Sequence, residues 1–270
     1  MDLSTRHAGL ATPVRLKIGL SDRVRLAAGM IKPMNAFEQR IRAAQRERQS
    51  SLCLSLDIVI ADTPLPVLPA DEPMLPFARA IIEATADLVC AYQIRPTYFL
   101  AEGGSGMIAL ERIVRLIPES TPLIIDLRVD DANEAAMAAR AAFYQYKGSA
   151  VTARRELPEA TARAVAGYDR GGQGVLAVFD GAPVALPDAW HGYAIEAART
   201  AEAAEARRLN PDGIALYQHS DALESAASRA LAGPGAVFVV DRAVLYAARR
   251  MTFAEDARTA AMGLRERLGA

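Results

Sequence analysis

One run of residues near the middle of the chain carries the side chains best suited to chemistry. Residues 122–133 begin as an apolar stretch and end in a group of charges that includes Asp126, Arg128 and Asp131. The apolar part predicts a strand buried on both faces, and alternation along a strand places Asp126 and Arg128 on one face. Charges at such a place are costly unless they are paired. The group is either a structural pair that closes the strand or part of an active site, which parallel barrels carry at the carboxyl ends of their strands.

The alternation of strand and helix patterns predicts the scaffold around this group. Strands are predicted at 52–58, 87–93, 123–128, 149–153, 174–179, 213–218 and 236–240. Helical patterns lie between them, the longest over 191–209, and further helices are predicted at 35–49 and 252–268. This order indicates a parallel α/β fold, a TIM-type (β/α)8 barrel in which one βα unit is degenerate or missing.

Three more polar residues are expected on the same rim of the barrel. Asp57 ends the first predicted strand, Gln93 ends the second, and Arg242 follows the last. In the first strand small or polar residues alternate with leucines, which is typical of a barrel strand covered by helices. Each of these residues alone could be a structural rim residue that pairs with a neighbour, but several polar groups on one rim favour a functional site.

Composition argues against several classes of function. A formal net charge of −1 and an aromatic content of 6% give no basis for nucleic-acid binding. No apolar run is long enough for a membrane span and no secretory signal is recognised, so we expect a cytoplasmic protein. Cys53 and Cys90 lie in apolar runs and are expected to be reduced core thiols.

Two regions of the chain are expected. Residues 1–33 are basic and weakly periodic, and we interpret them as an N-terminal extension. This extension is a mobile arm, a segment translated from a start codon upstream of Met34, or an arm that packs on a partner subunit. Residues 34–270 are expected to form a single barrel domain.

Several motifs resemble those of the orotidine 5′-phosphate decarboxylase family. Residues 52–57 (Leu-Cys-Leu-Ser-Leu-Asp) resemble its first strand, and residues 84–93 its second. Asp126-x-Arg128-x-x-Asp131 stands at the place of the family's Asp-x-Lys-x-x-Asp, and residues 241–247 resemble the segment with the phosphate-binding arginine. The resemblance covers roughly residues 34–250 and is weak between 150 and 236.

This resemblance implies a phosphate-binding barrel, usually a homodimer with active sites shared across the interface, that takes a nucleoside monophosphate. By the same resemblance Asp57 contacts the ribose and Asp126 faces the substrate carboxylate. Asp131 would reach into the site of the neighbouring subunit. Arg242 would bind the 5′-phosphate, for which its two-pronged donor group is suited.

The segment that follows the predicted strand 213–218 is ambiguous. Residues 217–220 are either a remnant of the family's phosphate loop or the end of that strand, in which case one βα unit is missing. Gln218 is therefore a candidate substrate-binding residue. His219 is a second one and a candidate acid or base.

The two active-site lysines of the family are absent. Gln93 stands at the strand-two position and Arg128 at the Asp-x-Lys position. Loss of CO2 leaves a carbanion that needs a proton, and arginine, with a pKa above about 12, is a poor donor at pH 7. Three interpretations stay open: altered lyase-type chemistry on a nucleotide or sugar phosphate, a catalytically inactive paralogue that binds a ligand or partner, and a slow orotidine monophosphate decarboxylase.

No cofactor is expected. Magnesium bound by Asp57, Asp126 and Asp131 is an alternative, because carboxylate oxygens are the ligands this cation prefers. Arg128 close by would compete with such a cation.

Overall fold

Short runs rich in Val, Ile, Leu and Ala form eight parallel strands that pair in chain order and close on themselves. The structure is a computed structural model that describes residues 34–168 and 172–268. The strands are β1 Leu52–Ser55, β2 Ala91–Ile94, β3 Leu123–Val129, β4 Ala150–Arg154, β5 Gly174–Val178, β6 Gly192–Glu196, β7 Ile214–Gln218 and β8 Ala236–Val240. The prediction of a TIM-type barrel is therefore confirmed.

Helices connect the strands and cover the outside of the barrel. They are α1 Ala36–Arg48, α2 Met74–Thr85, α3 Pro96–Leu100, α4 Gly103–Ile113, α5 Ala132–Arg140, α6 Glu159–Ala166, α7 Thr200–Leu209, α8 Ser225–Leu231, α9 Arg242–Leu245 and α10 Phe253–Leu268. Between β5 and β6 the chain runs through residues 179–191 with neither helix nor strand. One βα unit is thus degenerate, as predicted, but no strand of the barrel is missing.

Helix α1 forms where the sequence predicts it and closes the bottom of the barrel. Asn35 accepts a hydrogen bond from the amide of Glu38, whose side chain bonds back to the Asn35 amide, which is a capping box. Phe37 and Ile41 are fully buried and pack with the inward-facing residues of the strands. The opposite end of the barrel, where the strands end, is left for polar residues.

The prediction of a helix over 191–209 is wrong at its start. Gly192–Glu196 is strand β6, and helix α7 begins only at Thr200. The alanine-rich sequence continues a helical pattern, but a β-carbon on Gly192 would lie 2.0 Å from the carbonyl oxygen of Ile214. Close approach of the neighbouring strand therefore requires glycine here.

The remaining expectations about the chain fall partly outside the described residues. The proposed extension, residues 1–33, lies outside them. Cys53 and Cys90 are buried and free, as expected for core thiols. Among the residues that are described, no helix is long and apolar enough to cross a membrane.

Candidate active site

A cluster of two carboxylates and two guanidinium groups lies at the carboxyl ends of β1, β2 and β3. Arg95 Nε is 3.0 Å from Asp126 Oδ2, and Arg95 Nη1 is 3.9 Å from Asp57 Oδ2. Arg128 Nε is 3.3 Å from Asp126 Oδ1, and the Thr152 hydroxyl donates to the same oxygen over 2.5 Å. The predicted Asp126–Arg128 pair is therefore present, but Arg95 joins it to Asp57. We call these four charged residues the mouth cluster.

Arg95 belongs to the cluster because the alternation of inward-facing and outward-facing side chains in β2 continues beyond Gln93. Ala91 and Gln93 face the lumen, and Arg95 follows two positions later. Pro96 disfavours a helical conformation at the residue before it, and Arg95 is accordingly extended, with φ −105° and ψ 107°. Its guanidinium thus points to the same side as Gln93. Sequence reasoning missed this residue because the predicted strand ended at Gln93.

Arg128 reaches Asp126 through an irregularity in β3 and not through simple strand alternation. Its φ is +55°, and the pairing of β3 with β4 shifts register between Ile125 and Val129. The Arg128 amide donates to the Thr152 hydroxyl over 3.1 Å. A left-handed backbone at a non-glycine residue costs roughly 1 kcal/mol or more and is concentrated at functional sites. The kink is consistent with a site at this strand end.

Burial disturbs the ionisation of Asp57. Removal from water raises the pKa of its carboxyl to about 6, and the charge of Arg95 and the hydrogen bond from the Arg95 amide only partly oppose this effect. Because the folded-state pKa lies above the ordinary value of 3.8, the protonated form favours folding. That contribution is complete below pH 4 and is lost as the pH rises through 6.

We therefore expect Asp57→Asn to stabilise the protein in a pH-dependent way. The free energy of unfolding should rise by about 3 kcal/mol at pH 8 and by roughly half as much at pH 5. Urea unfolding at the two pH values measures it, with Asp71→Asn as the control because Asp71 is an exposed loop residue. A gain that is absent at pH 8, or equal at the two pH values, would contradict this account of Asp57.

Gln93 and Gln218 lie in the lumen below the mouth cluster and bind each other. Gln218 Nε2 is 2.9 Å from Gln93 Oε1, and Gln93 Nε2 is 3.2 Å from Gln218 Oε1. Both side chains are buried. The reciprocal amide pair satisfies groups that would otherwise be costly to bury. The two amides thus hydrogen-bond each other in the lumen beneath the mouth cluster, and the catalytic role of Gln93 and the substrate-binding role of Gln218 stay predictions.

His219 lies on the other side of the mouth, at the end of β7. Its Nδ1 is 2.7 Å from Glu196 Oε2, and its Nε2 is 4.0 Å from Asp241 Oδ2. The hydrogen bond to Glu196 raises the pKa of the imidazole and lowers the pKa of Glu196. Like Arg128, His219 has a positive φ, of 52°. Tyr217 and Gln218 belong to β7, so residues 217–220 begin as the end of a strand and no βα unit is lost there.

Arg242 begins helix α9 on the rim and is paired with a carboxylate of the β1 loop. Its Nη2 is 2.8 Å from Asp62 Oδ2, and its guanidinium carbon lies 5.0 Å above the ring of Tyr246. Arg249 also contacts Asp62, over 3.6 Å. The Arg242 side chain is 62% exposed. Its guanidinium is therefore accessible to a ligand at the mouth.

The backbone amides beside Arg242 already have an acceptor within the chain. The Asp221 carboxylate accepts from the Asp241 amide over 3.2 Å and from the Ala243 amide over 3.0 Å. Burial raises the pKa of Asp221, and the neighbouring Asp241 adds to this. An anion bound on this part of the rim thus depends on the Arg242 side chain, because the amides are occupied.

Asp131 is not part of the mouth cluster. It is the N-cap of helix α5, where its Oδ1 accepts from the amides of Asn133 and Glu134 over 2.8 and 3.0 Å. Its side chain is exposed. Asp57 and Asp126 are occupied by arginines, and no group of three or more potential ligands for a metal ion occurs among the described residues. The magnesium alternative is therefore not supported.

Comparison with known proteins decides the family. Orotidine 5′-phosphate decarboxylase from Roseiflexus castenholzii is 37% identical over 270 aligned residues, which cover 88% of this chain and 98% of the relative. The enzyme of that name from Roseiflexus sp. is 33% identical over 87% of this chain and 97% of its own. The chain belongs to the orotidine 5′-phosphate decarboxylase family. Its relatives are thus carboxy-lyases, as expected from the motifs.

Solved structures of the family share the fold of this member. An orotidine-monophosphate-decarboxylase from Toxoplasma gondii superposes with a TM-score of 0.69 at 22% identity, covering 86% of this chain and 98% of the other. The OMP decarboxylase of Leishmania donovani superposes with a TM-score of 0.67 at 20% identity, covering 86% of this chain and 96% of the other. No protein-family model matches the sequence.

The mouth cluster contains the two acids predicted from the motifs, Asp57 and Asp126, together with two arginines and no lysine. By the resemblance of the motifs, Arg128 stands at the place of the Asp-x-Lys lysine. Arg95, Thr152 and Glu196 were not predicted as site residues. Alternation along β2 and β4 points Arg95 and Thr152 inward, so the same rule applied to 149–153 and extended beyond Gln93 finds these two residues. Glu196 could not be found in this way, because the sequence predicts a helix where β6 forms.

Proposed function

We propose that this chain is a slow carboxy-lyase that binds an orotidine-type nucleoside 5′-monophosphate across the mouth of the barrel. The observation that carries the proposal is the mouth cluster itself, where Asp126 is held between two guanidinium groups at the ends of the strands. In an enzyme of this family it is the place for the reacting end of the nucleotide. Asp57, at the end of β1, would contact the ribose.

The phosphate end of the nucleotide is assigned to Arg242. In the Arg242–Asp62 ion pair the arginine is exposed and the aspartate is partly exposed, and pairs near the surface are worth about 1 kcal/mol or less. A phosphate dianion forms stronger, two-pronged hydrogen bonds with a guanidinium and can replace Asp62 at small cost. Because Asp221 occupies the neighbouring amides, Arg242 alone accounts for most of this contact.

The slow rate follows from the proton source. Decarboxylation breaks the bond between the ring carbon and the carboxylate, releases CO2 and leaves an electron pair on the ring carbon. Arg95 and Arg128 stabilise that negative charge, but a guanidinium does not give up its proton at neutral pH. The proton then comes from water, and the hydroxide left behind combines with CO2 as bicarbonate. No cofactor takes part.

A homodimer with shared sites is part of the proposal. Asp131 is exposed at the start of helix α5, and only its Oδ1 is used in capping that helix, so its other carboxylate oxygen can accept a hydrogen bond from a second subunit. Further along, Met137 and Tyr144 are 68% and 76% exposed and line one open depression. Large exposed apolar side chains in one depression support a partner surface on this side.

Calorimetric titration of the full chain with orotidine 5′-monophosphate, uridine 5′-monophosphate and uridine tests the proposal. Both nucleotides should bind, and Arg242→Gln should weaken them by about tenfold or more while leaving uridine unchanged. Arg249→Gln is the matched control, because Arg249 contacts the same Asp62 and should change nucleotide affinity by no more than about threefold. Failure of wild type to bind either nucleotide would contradict the proposal and favour a partner-binding paralogue.

A further inference from the structure

Arg95 has a donor group that the protein does not use. Its Nε contacts Asp126 and its Nη1 contacts Asp57, but its Nη2 is buried and has no hydrogen-bond partner among the described residues. A buried donor without an acceptor is unfavourable. The side chain is only 20% exposed, and Tyr98 lies beside it, with 5.8 Å between the guanidinium carbon and the ring centre. The group is thus held in place and lacks one acceptor.

The surroundings of Arg95 favour an anionic acceptor. The two guanidinium groups of the mouth cluster balance the carboxylates of Asp57 and Asp126, so the cluster has no net negative charge to repel a further carboxylate. The layer beneath is the neutral Gln93–Gln218 pair. Toward the other side, Glu196 is engaged by His219. Arg95 and Arg128 are therefore the cations available to an anion entering this part of the mouth.

We propose that Arg95 is a specificity-determining residue that binds the ring carboxylate of the nucleotide. The proposal rests on the proposed function and adds to it a preference: nucleotides that carry a carboxylate on the ring bind more tightly than those without one. Without Arg95, Asp126 would repel the ring carboxylate, and the nucleotide that lacks this carboxylate would bind more tightly. The arginine at position 95 reverses that order by balancing Asp126 and presenting Nη2.

Titration of the full chain with orotidine 5′-monophosphate and uridine 5′-monophosphate measures this preference. Wild type should bind the carboxylated nucleotide at least about tenfold more tightly than the other. Arg95→Gln should bring the ratio of the two dissociation constants to about one or below, whatever its effect on the affinity for uridine 5′-monophosphate. Arg95→Lys keeps the positive charge but loses the planar set of donors of the guanidinium, so its ratio of dissociation constants should lie between those of wild type and Arg95→Gln.

Arg154→Gln is the matched control. Arg154 ends β4 on the same rim but pairs with the exposed carboxylates of Asp180 and Asp130, so the ratio should stay at the wild-type value. Thermal melting shows whether each variant is folded. If Arg95→Gln does not fold, the ratio measured for Arg95→Lys tests the inference. A wild-type ratio near or below one, or a ratio unchanged in the Arg95 variants, overturns the inference while leaving nucleotide binding intact. Binding of neither nucleotide overturns the proposed function as well.

Discussion

Replacing Arg128 by lysine should raise the rate of orotidine 5′-monophosphate decarboxylation by about a hundredfold or more. A positioned general acid contributes roughly 10²–10⁴-fold, and an ammonium group with a pKa near 10 is a far better proton donor than a guanidinium. The left-handed backbone at position 128 is no harder for lysine than for arginine, so the exchange adds no backbone strain. Loss of ultraviolet absorbance of the substrate measures the rate.

Two further variants show whether the gain comes from the ammonium group. Arg128→Gln removes the bulk of arginine without supplying an acid and should give no gain. Asp126→Asn combined with Arg128→Lys should lose most of it, because Asp126 is the group that Arg128 contacts, over 3.3 Å. A lysine variant no faster than the glutamine variant would contradict the argument from the proton source.

Replacing Asp126 by alanine should cost about 3 kcal/mol of the free energy of unfolding. Its carboxylate is buried and accepts hydrogen bonds from Arg95, Arg128 and Thr152. Removal leaves Arg128 without its carboxylate and Arg95 with the more distant Asp57 alone, at 3.9 Å. Breaking a buried pair costs about 3–5 kcal/mol. We expect a cost at the lower end of this range, because the side chains of Arg95 and Arg128 are partly exposed.

Asp180→Ala is the comparison for this variant. Asp180 also binds a rim arginine, Arg154, over 2.6 Å, but both side chains are about half exposed. Its loss should cost about 1 kcal/mol or less. Urea unfolding of both variants at pH 7 measures the difference. Equal costs would mean that the mouth cluster does not stabilise the folded chain as its burial indicates.

Much of this mouth could be predicted from the sequence, because alternation along a strand determines which residues face the lumen. Asp57 and Asp126 end inward-facing series, and both are buried in the cluster. Arg95 was missed because the predicted strand ends at Gln93, although Ile94 still belongs to β2 and Pro96 keeps Arg95 extended. Side chains therefore alternate between the two faces as far as the backbone stays extended, even where the sequence is no longer hydrophobic.

Other parts of the structure depend on contacts that the sequence does not record. Residues 192–196 of the predicted helix 191–209 are strand β6, since pairing with β5 and β7 overrides the helical pattern of the sequence. The motifs predict Gln93 as a catalytic residue, but they do not show that its hydrogen-bond partner is Gln218, 125 residues away along the chain. The carboxylate of Asp221 at the amides beside Arg242 likewise joins two separate loops.

We propose that this mouth binds the nucleotide and that its described residues supply no ammonium group as a proton source. Release of labelled CO2 from carboxyl-labelled orotidine 5′-monophosphate in a single turnover, with the wild-type chain in excess, tests it most directly. We expect release above the rate in buffer but at least about a hundredfold below 10 s⁻¹, which is an ordinary enzyme rate. Release at about 10 s⁻¹ would show that the lost lysines are not needed, and release no faster than in buffer would show that the site is not a carboxy-lyase.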